Sequence, residues 1–109
     1  MIKFPEEMQK RIDKGCCGAW IGQGWMPIAI ELDEKLAEVN PDYTIEQIKQ
    51  KFGGLRYYVA NIDYYKINDL IEAAYHKAEV TCEMCGEPGK LVNHGGMRTL
   101  CEKHTQESI

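Results

Sequence analysis

Four residues near the C-terminus have the types and the spacing of metal ligands. Cys82 and Cys85 stand in CEMCG, and Cys101 and His104 in LCEKH, giving C-x2-C-x15-C-x2-H. Two short-spaced pairs, separated by enough chain to fold back, can surround an ion tetrahedrally, and thiolate with imidazole suits zinc. Gly86 follows the first pair as a tight knuckle requires, and Gly89 and Gly95–Gly96 let the intervening chain turn back. A redox dithiol at Cys82–Cys85 and an iron site are the alternative readings of the same residues. Four protein ligands close the coordination sphere, whereas a catalytic zinc keeps a position for water, so the expected ion is a structural one. His94 in VNHGG is a substitute ligand or a nuclease-like histidine in one reading and a solvated loop histidine in the ordinary one. Cys16 and Cys17 are adjacent and cannot easily clasp one metal together. They read as small, partly buried residues, the alternative being a reactive thiol.

The second candidate is KQKFGGLRYY, Lys49 to Tyr58. The chain after the glycines, LRYYVANI, is strand-like. The chain before them is ambiguous, because Thr44 with Gln47 fits a capping box and Ile45, Ile48 and Phe52 fit a helix. A hairpin turning on Gly53–Gly54 is preferred to that helix. It sets Phe52 opposite Leu55, Lys51 opposite Arg56, Lys49 opposite Tyr58 and Ile48 opposite Val59. Alternate residues share a face, so Lys49, Lys51, Arg56 and Tyr58 come together opposite an apolar face. Like charges set opposite one another cost free energy unless something neutralises them. The neutralising group is a phosphate held by Arg56 with Lys49 and Lys51, a ring stacking on Tyr58 or Trp25, or else neighbouring carboxylates on a solvated face.

Elements must carry these groups. Residues 5–14 read as a helix opened by Pro5 and ended by Gly15, with Phe4, Met8 and Ile12 on one side. Residues 27–39 read as a helix with Ile28, Leu32, Leu36 and Val39 as its apolar stripe, and Glu31, Asp33 and Glu34 on a solvated face. Residues 64–79 read as a third helix, capped by Asp63, with Ile67, Leu70, Ile71, Ala74 and Ala78 inward. It delivers the chain to Cys82. The loop GAWIGQGWMP holds both tryptophans, read as plugs beneath it, with a base-stacking platform as the alternative. Gly22-x-Gly24 alone is too weak for a nucleotide fingerprint.

The chain has 109 residues, enough for one small domain, and at 44% hydrophobic and 28% charged its composition is that of a globular protein. A net charge of −4 argues against a general nucleic-acid coat but leaves room for a local basic patch. No run approaches the ~18 apolar residues of a membrane span. The charged N-terminus has no secretory h-region, and five cysteines do not suggest a disulfide framework. The expected setting is cytoplasmic. No nucleophile–base pair or carboxylate dyad has a convincing spacing, so a non-enzymatic protein is expected.

GQGWMPIAIELDEKL, KQKFGGLRYYV and the tail CEMCGEPGKL to GGMRTLCEKH together resemble a family of small uncharacterised bacterial and phage proteins. The family shares a Gly-x-Gly-Trp lead into a helix, a Lys-Phe-Gly-Gly-Leu-Arg segment and a terminal Cys-x2-Cys-Gly with Thr-Leu-Cys-x2-His. The match covers roughly residues 17–104 by motif and order. The resemblance implies the order of elements and a zinc-bound tail, and it hints at a phage origin, with the host cytoplasm as the setting. The expected fold is α+β: a helix and hairpin core over 1–80, with a treble-clef-like or zinc-ribbon-like module over 81–109 packed on it. The expected function is binding of a phosphate-bearing small molecule, plausibly a nucleotide, at Lys49, Lys51, Arg56, Tyr58 and Trp25. A module that inhibits a host protein and a nucleic-acid-associated zinc protein are the alternatives, and no membrane partner is expected.

Overall fold

The computed structural model describes residues 4–13, 18–93 and 95–107. It is α+β, with helices α1 (Glu6–Arg11), α2 (Met26–Val39), α3 (Tyr64–Glu79) and α4 (Glu102–Glu107). Two antiparallel hairpins complete it: β1 (Thr44–Lys51) with β2 (Gly54–Ala60), and β3 (Lys90–Asn93) with β4 (Met97–Leu100). Pro5 caps α1 from outside it, and Glu6 and Glu7 lie in its first turn where the helix dipole favours them. Pro27 lies in the first turn of α2, and the Asp63 side chain accepts from Tyr65 N–H at the start of α3. Gly15, Cys16, Cys17 and His94 lie outside the described residues.

One face of the first hairpin packs on α2 and α3. The core joins Leu32 and Leu36 of α2, Ile45 and Ile48 of β1, Leu55 and Tyr57 of β2 and Ile67 and Ile71 of α3. Leu70 packs on this cluster partly buried, while Val39 at the end of α2 is exposed. The free edge of β1 is covered by the incoming chain. Ile12 bridges Ile45 and Ala19 bridges Ile48 in parallel, and Ile48 N–H and O bond Gly18 O and Trp20 N–H at 3.0 Å each.

The hairpin forms, but with a different turn from the expected one. Phe52 and Gly53 occupy the turn at φ 54° and 81°, the paired positive values of a type I′ turn. Lys51 therefore faces Gly54, Lys49 faces Arg56, and Ile48 faces Tyr57. Tertiary contacts select this register. Gly53 O accepts the Thr99 hydroxyl at 2.6 Å, and a Cβ on Gly53 would lie 2.3 Å from Leu91 Cδ1. The slip changes partners without exchanging faces, so the three cations still share one. A register shift between Ile45 and Gln47 makes Glu46 a bulge. Ile45 and Ile48 can then both be buried three residues apart, a spacing that imitates a helix.

Asp33 is the second departure. It is buried, not solvated, because Arg11 forks onto it from α1, Nε to Oδ1 at 2.8 Å and Nη2 to Oδ2 at 2.6 Å. Tyr43 donates its hydroxyl to Oδ1 at 2.5 Å and lies 2.7 Å from the Tyr57 hydroxyl. This network ties α1, α2 and the hairpin together. Its charge is compensated by the bidentate pairing that a buried carboxylate requires.

Candidate metal centre and the adjoining cleft

After α3 the chain folds into a knuckle. Cys82 N–H donates to Glu87 O at 2.7 Å, Gly86 N–H to Cys82 O at 2.9 Å, and Gly89 N–H to Val80 O at 2.9 Å. β3 and β4 return the chain to Cys101, which leads into α4. There Thr105 N–H donates to Cys101 O at 2.9 Å, and His104 N–H to Cys101 Sγ at 3.4 Å. The second ligand pair thus comes from the start of a helix, not from a second knuckle. Of the two expected arrangements, this is the treble-clef one.

The four ligand atoms of Cys82, Cys85, Cys101 and His104 all lie within 4.8 Å of one another. Cys85 Sγ is 3.7 Å from Cys101 Sγ, and His104 Nδ1 is 3.6 Å from Cys82 Sγ and 3.2 Å from Cys101 Sγ. With metal–sulfur bonds of about 2.3 Å and metal–nitrogen bonds of about 2.0 Å, a tetrahedral ion sets sulfurs about 3.8 Å apart and sulfur from nitrogen about 3.5 Å apart. The cluster therefore fits a metal ion. Burial pushes the Cys82 thiol up, but the backbone N–H groups of Cys101, Met84 and Cys85 outweigh it and bring it down to about 7. For Cys85 the Glu87 N–H pulls the other way, yet desolvation and the neighbouring Cys82 and Cys101 leave its thiol raised. Gathered thiolates repel, and a bound cation removes that repulsion.

The knuckle is clamped to the core through backbone. Gly24 N–H donates to Glu83 O at 2.9 Å, and Trp25 Nε1–H donates to Thr81 O at 2.8 Å. A Cβ on Gly22 would lie 2.1 Å from Glu83 O, and one on Gly24 would lie 2.0 Å from Cys82 O. Gly-x-Gly is thus a docking surface for the metal knuckle. Gln50 Nε2 donates to Met97 O at 2.9 Å, linking β1 to β4.

Clamping leaves a cleft of about 330 Å³ between the β1 edge and the knuckle, lined by Trp20, Lys49, Gln50, Glu83, Met84 and Arg98. Arg98 Nε donates to Glu83 Oε1 at 2.6 Å. The other Glu83 oxygen, Oε2, is buried with no hydrogen-bond partner. A wider hollow of about 600 Å³ beside Cys101, walled by Pro88, Leu100 and Thr105, has a mostly apolar lining.

The expected ligand residues are dispersed differently. Lys49 opens on the cleft. Arg56 turns to α3, with its guanidinium 6.0 Å from the Tyr75 ring centre and Nη1 donating to Leu55 O at 3.0 Å. Lys51 lies 5.7 Å from the Phe52 ring, and Tyr58 is exposed. Trp25 is fully buried with its N–H engaged, so it cannot stack on a ligand. Trp20, also read as a plug, is instead 70% exposed. Sequence reasoning missed Glu83, Met84 and Arg98. The signal was present in Glu83 and Met84, the two residues between the first metal ligands. Comparison with family models, with curated proteins and with solved structures finds no match.

Proposed function

We propose that this chain is a non-enzymatic binding protein, built around a structural zinc, that takes a phosphate-bearing small molecule, a nucleotide, on the cationic face of its first hairpin. One observation carries the reading. By strand register Lys49, Lys51 and Arg56 start from one face and Lys49 lies directly opposite Arg56, although their side chains then diverge, and among the described residues none of the three has a carboxylate within ion-pair distance. Like charges set opposite each other in an otherwise acidic protein favour an anionic guest. Zinc is the ion that three thiolates and an imidazole in tetrahedral array favour, and four ligands leave no position for an activated water. The phage-type setting in a host cytoplasm rests on the sequence resemblance. Among the described residues no helix is long and apolar enough to cross a membrane.

The test is calorimetric titration of linear and cyclic nucleotides into wild type and Arg56→Ala. Removing one charged hydrogen-bonding group should weaken binding by about 1.5–3 kcal/mol, and added salt should weaken it further. Failure of every nucleotide to bind at micromolar concentration, or equal binding by the variant, refutes the reading. Phe52 in the turn of the first hairpin and Leu91 of β3, whose side chain lies beside Gly53, are both exposed and favour a host-protein surface as the second reading. Capture of one stoichiometric protein partner, lost on Phe52→Ala, would establish that one instead.

A further inference from the structure

We infer that Cys85 is an oxidation site, at which a hydroperoxide closes a Cys85–Cys101 disulfide and discharges the metal; this rests on the structural zinc of the reading above and not on its nucleotide. The first observation is the unequal cover of the four ligand residues. Cys82 is fully buried, Cys101 is 8% exposed and His104 is half-buried, whereas Cys85 is exposed. A coordinating thiol is a thiolate, and the thiolates that solvent reaches are the ones a peroxide attacks. An oxidant arriving from water therefore meets Cys85 before the other two sulfurs.

The second observation is the sulfur that stands beside it. Cys101 Sγ is 3.7 Å from Cys85 Sγ, so a disulfide of about 2.0 Å needs the two sulfurs to close by about 1.7 Å. Cys101 also borders the open hollow of about 600 Å³, where packing around it is incomplete. Cys82 is held instead. Its N–H donates to Glu87 O, its O accepts Gly86 N–H, and Gly24 packs so closely on that oxygen that a Cβ there would lie 2.0 Å from it. Cys101 is thus the partner that can move to Cys85. The chemistry balances on these two sulfurs. The Cys85 thiolate attacks one peroxide oxygen, the O–O bond breaks, hydroxide leaves and a sulfenic acid forms. The Cys101 thiolate then attacks the Cys85 sulfur and expels a second hydroxide as the S–S bond forms. Two electrons pass from the thiolates to the peroxide, and a thiol reductant returns them. Cys82 and His104 remain, and two donors do not make a tetrahedral site, so the knuckle gives up its metal.

The test treats the zinc-loaded full chain with hydrogen peroxide, reads released zinc with a chromophoric chelator and maps disulfides by mass spectrometry. Metal analysis comes first, and protein that holds no zinc before treatment overturns both this inference and the zinc reading. Peroxide should release the zinc together with a loss of two hydrogens mapped to Cys85 and Cys101, and dithiothreitol with added zinc should restore the loaded form. Cys85→His keeps four donors and removes the exposed thiol, so it should release zinc about tenfold or more slowly at the same peroxide concentration. Where that variant does not load zinc, the disulfide map of the wild type decides. Cys16→Ser with Cys17→Ser removes the two thiols outside the cluster, and Met84→Leu removes an exposed thioether beside it. Both variants should release zinc as the wild type does. Zinc retained by the wild type while its methionines oxidise, release that maps to a Cys82–Cys85 bridge or to Cys16 and Cys17, or equally fast release by Cys85→His overturns the oxidation site and leaves the structural zinc standing.

Discussion

Gly24→Ala tests the clamp between core and knuckle most directly. The added Cβ would lie 2.0 Å from Cys82 O, 2.5 Å from Gly86 N and 2.8 Å from Cys85 N. All three are backbone atoms of the knuckle, so no side chain can swing aside. Either the loop lifts or the knuckle deforms. Overpacking of this kind costs about 1–3 kcal/mol. Lifting the loop also breaks the Gly24 N–H bond to Glu83 O, worth about 1 kcal/mol. The expected loss is about 2–4 kcal/mol, a large share of the roughly 5–15 kcal/mol that holds a domain folded. Gly95→Ala is the control. Gly95 has φ 73° but nothing within 4 Å of an added Cβ, so it pays only the left-handed backbone term of about 1–2 kcal/mol. Denaturant unfolding of metal-loaded protein reads both losses, and competition with a chelator reads the metal affinity. Gly24→Ala should unfold at lower denaturant than Gly95→Ala and surrender its metal more readily. Equal midpoints with unchanged chelator resistance would mean that the loop does not hold the knuckle.

Metal analysis of protein made with adequate zinc should find one zinc per chain, and Cys101→Ser or chelation should unfold at least the C-terminal third; metal-free protein with an intact fold contradicts this. The Asp33 network gives a pH dependence. Burial is the main reason that the Tyr43 and Tyr57 hydroxyls are pushed up from the ordinary value, with Tyr57 and Asp33 adding to the effect on Tyr43 and the Tyr43 hydrogen bond partly opposing it for Tyr57. A folded pKa above the unfolded one means stability is fully present below about pH 10 and falls as pH rises past it, by about 1.4 kcal/mol per pH unit for each such tyrosine. Denaturant titrations across that range should show the fall, with a shallower slope in Tyr43→Phe; identical slopes would place the hydroxyl in a solvated site.

The cluster that could hold a metal ion was legible because coordination needs fixed residue types at short spacings, and both pairs carry their own turn chemistry. The helices α2 and α3 were legible from apolar periodicity and from caps such as Asp63, whereas α1 ends at Arg11, short of the expected stop at Gly15, because Ile12 leaves the helix to bridge Ile45. The departures share one cause: each depends on a contact distant in sequence. Asp33 looks solvated beside Glu31 and Glu34 until Arg11 arrives from another helix. The turn at Phe52 and Gly53 is chosen by Thr99 and Leu91, some forty residues away on the metal module's hairpin. Ile45 and Ile48 carry a helical spacing only because a bulge at Glu46 reconciles it with a strand. Local composition also cannot tell which tryptophan is covered. Trp25 is, since its N–H meets Thr81 O, and Trp20 is not, since its loop bonds the edge of β1 through backbone alone.

The cleft and the metal centre are one construction. Glu83 and Met84 are the two residues that a C-x2-C knuckle must place between its ligands, and both line the cleft. Their positions follow from the turn that brings Cys82 and Cys85 together. Glu83 N–H is bonded to Thr99 O and Glu83 O to Gly24 N–H, so its backbone is fixed on both sides. Arg98 comes from β4, which also leads the chain to Cys101. Only Trp20, Gly22, Lys49 and Gln50 belong to the helix and hairpin core. An ion held by the four ligand residues would therefore fix more than a short tail. By fixing the knuckle it would hold Glu83 against Arg98 and keep the wall that lines the cleft with Trp20. A metal site built this way would shape the cleft beside it, because Glu83 and Met84 stand between its first pair of ligands.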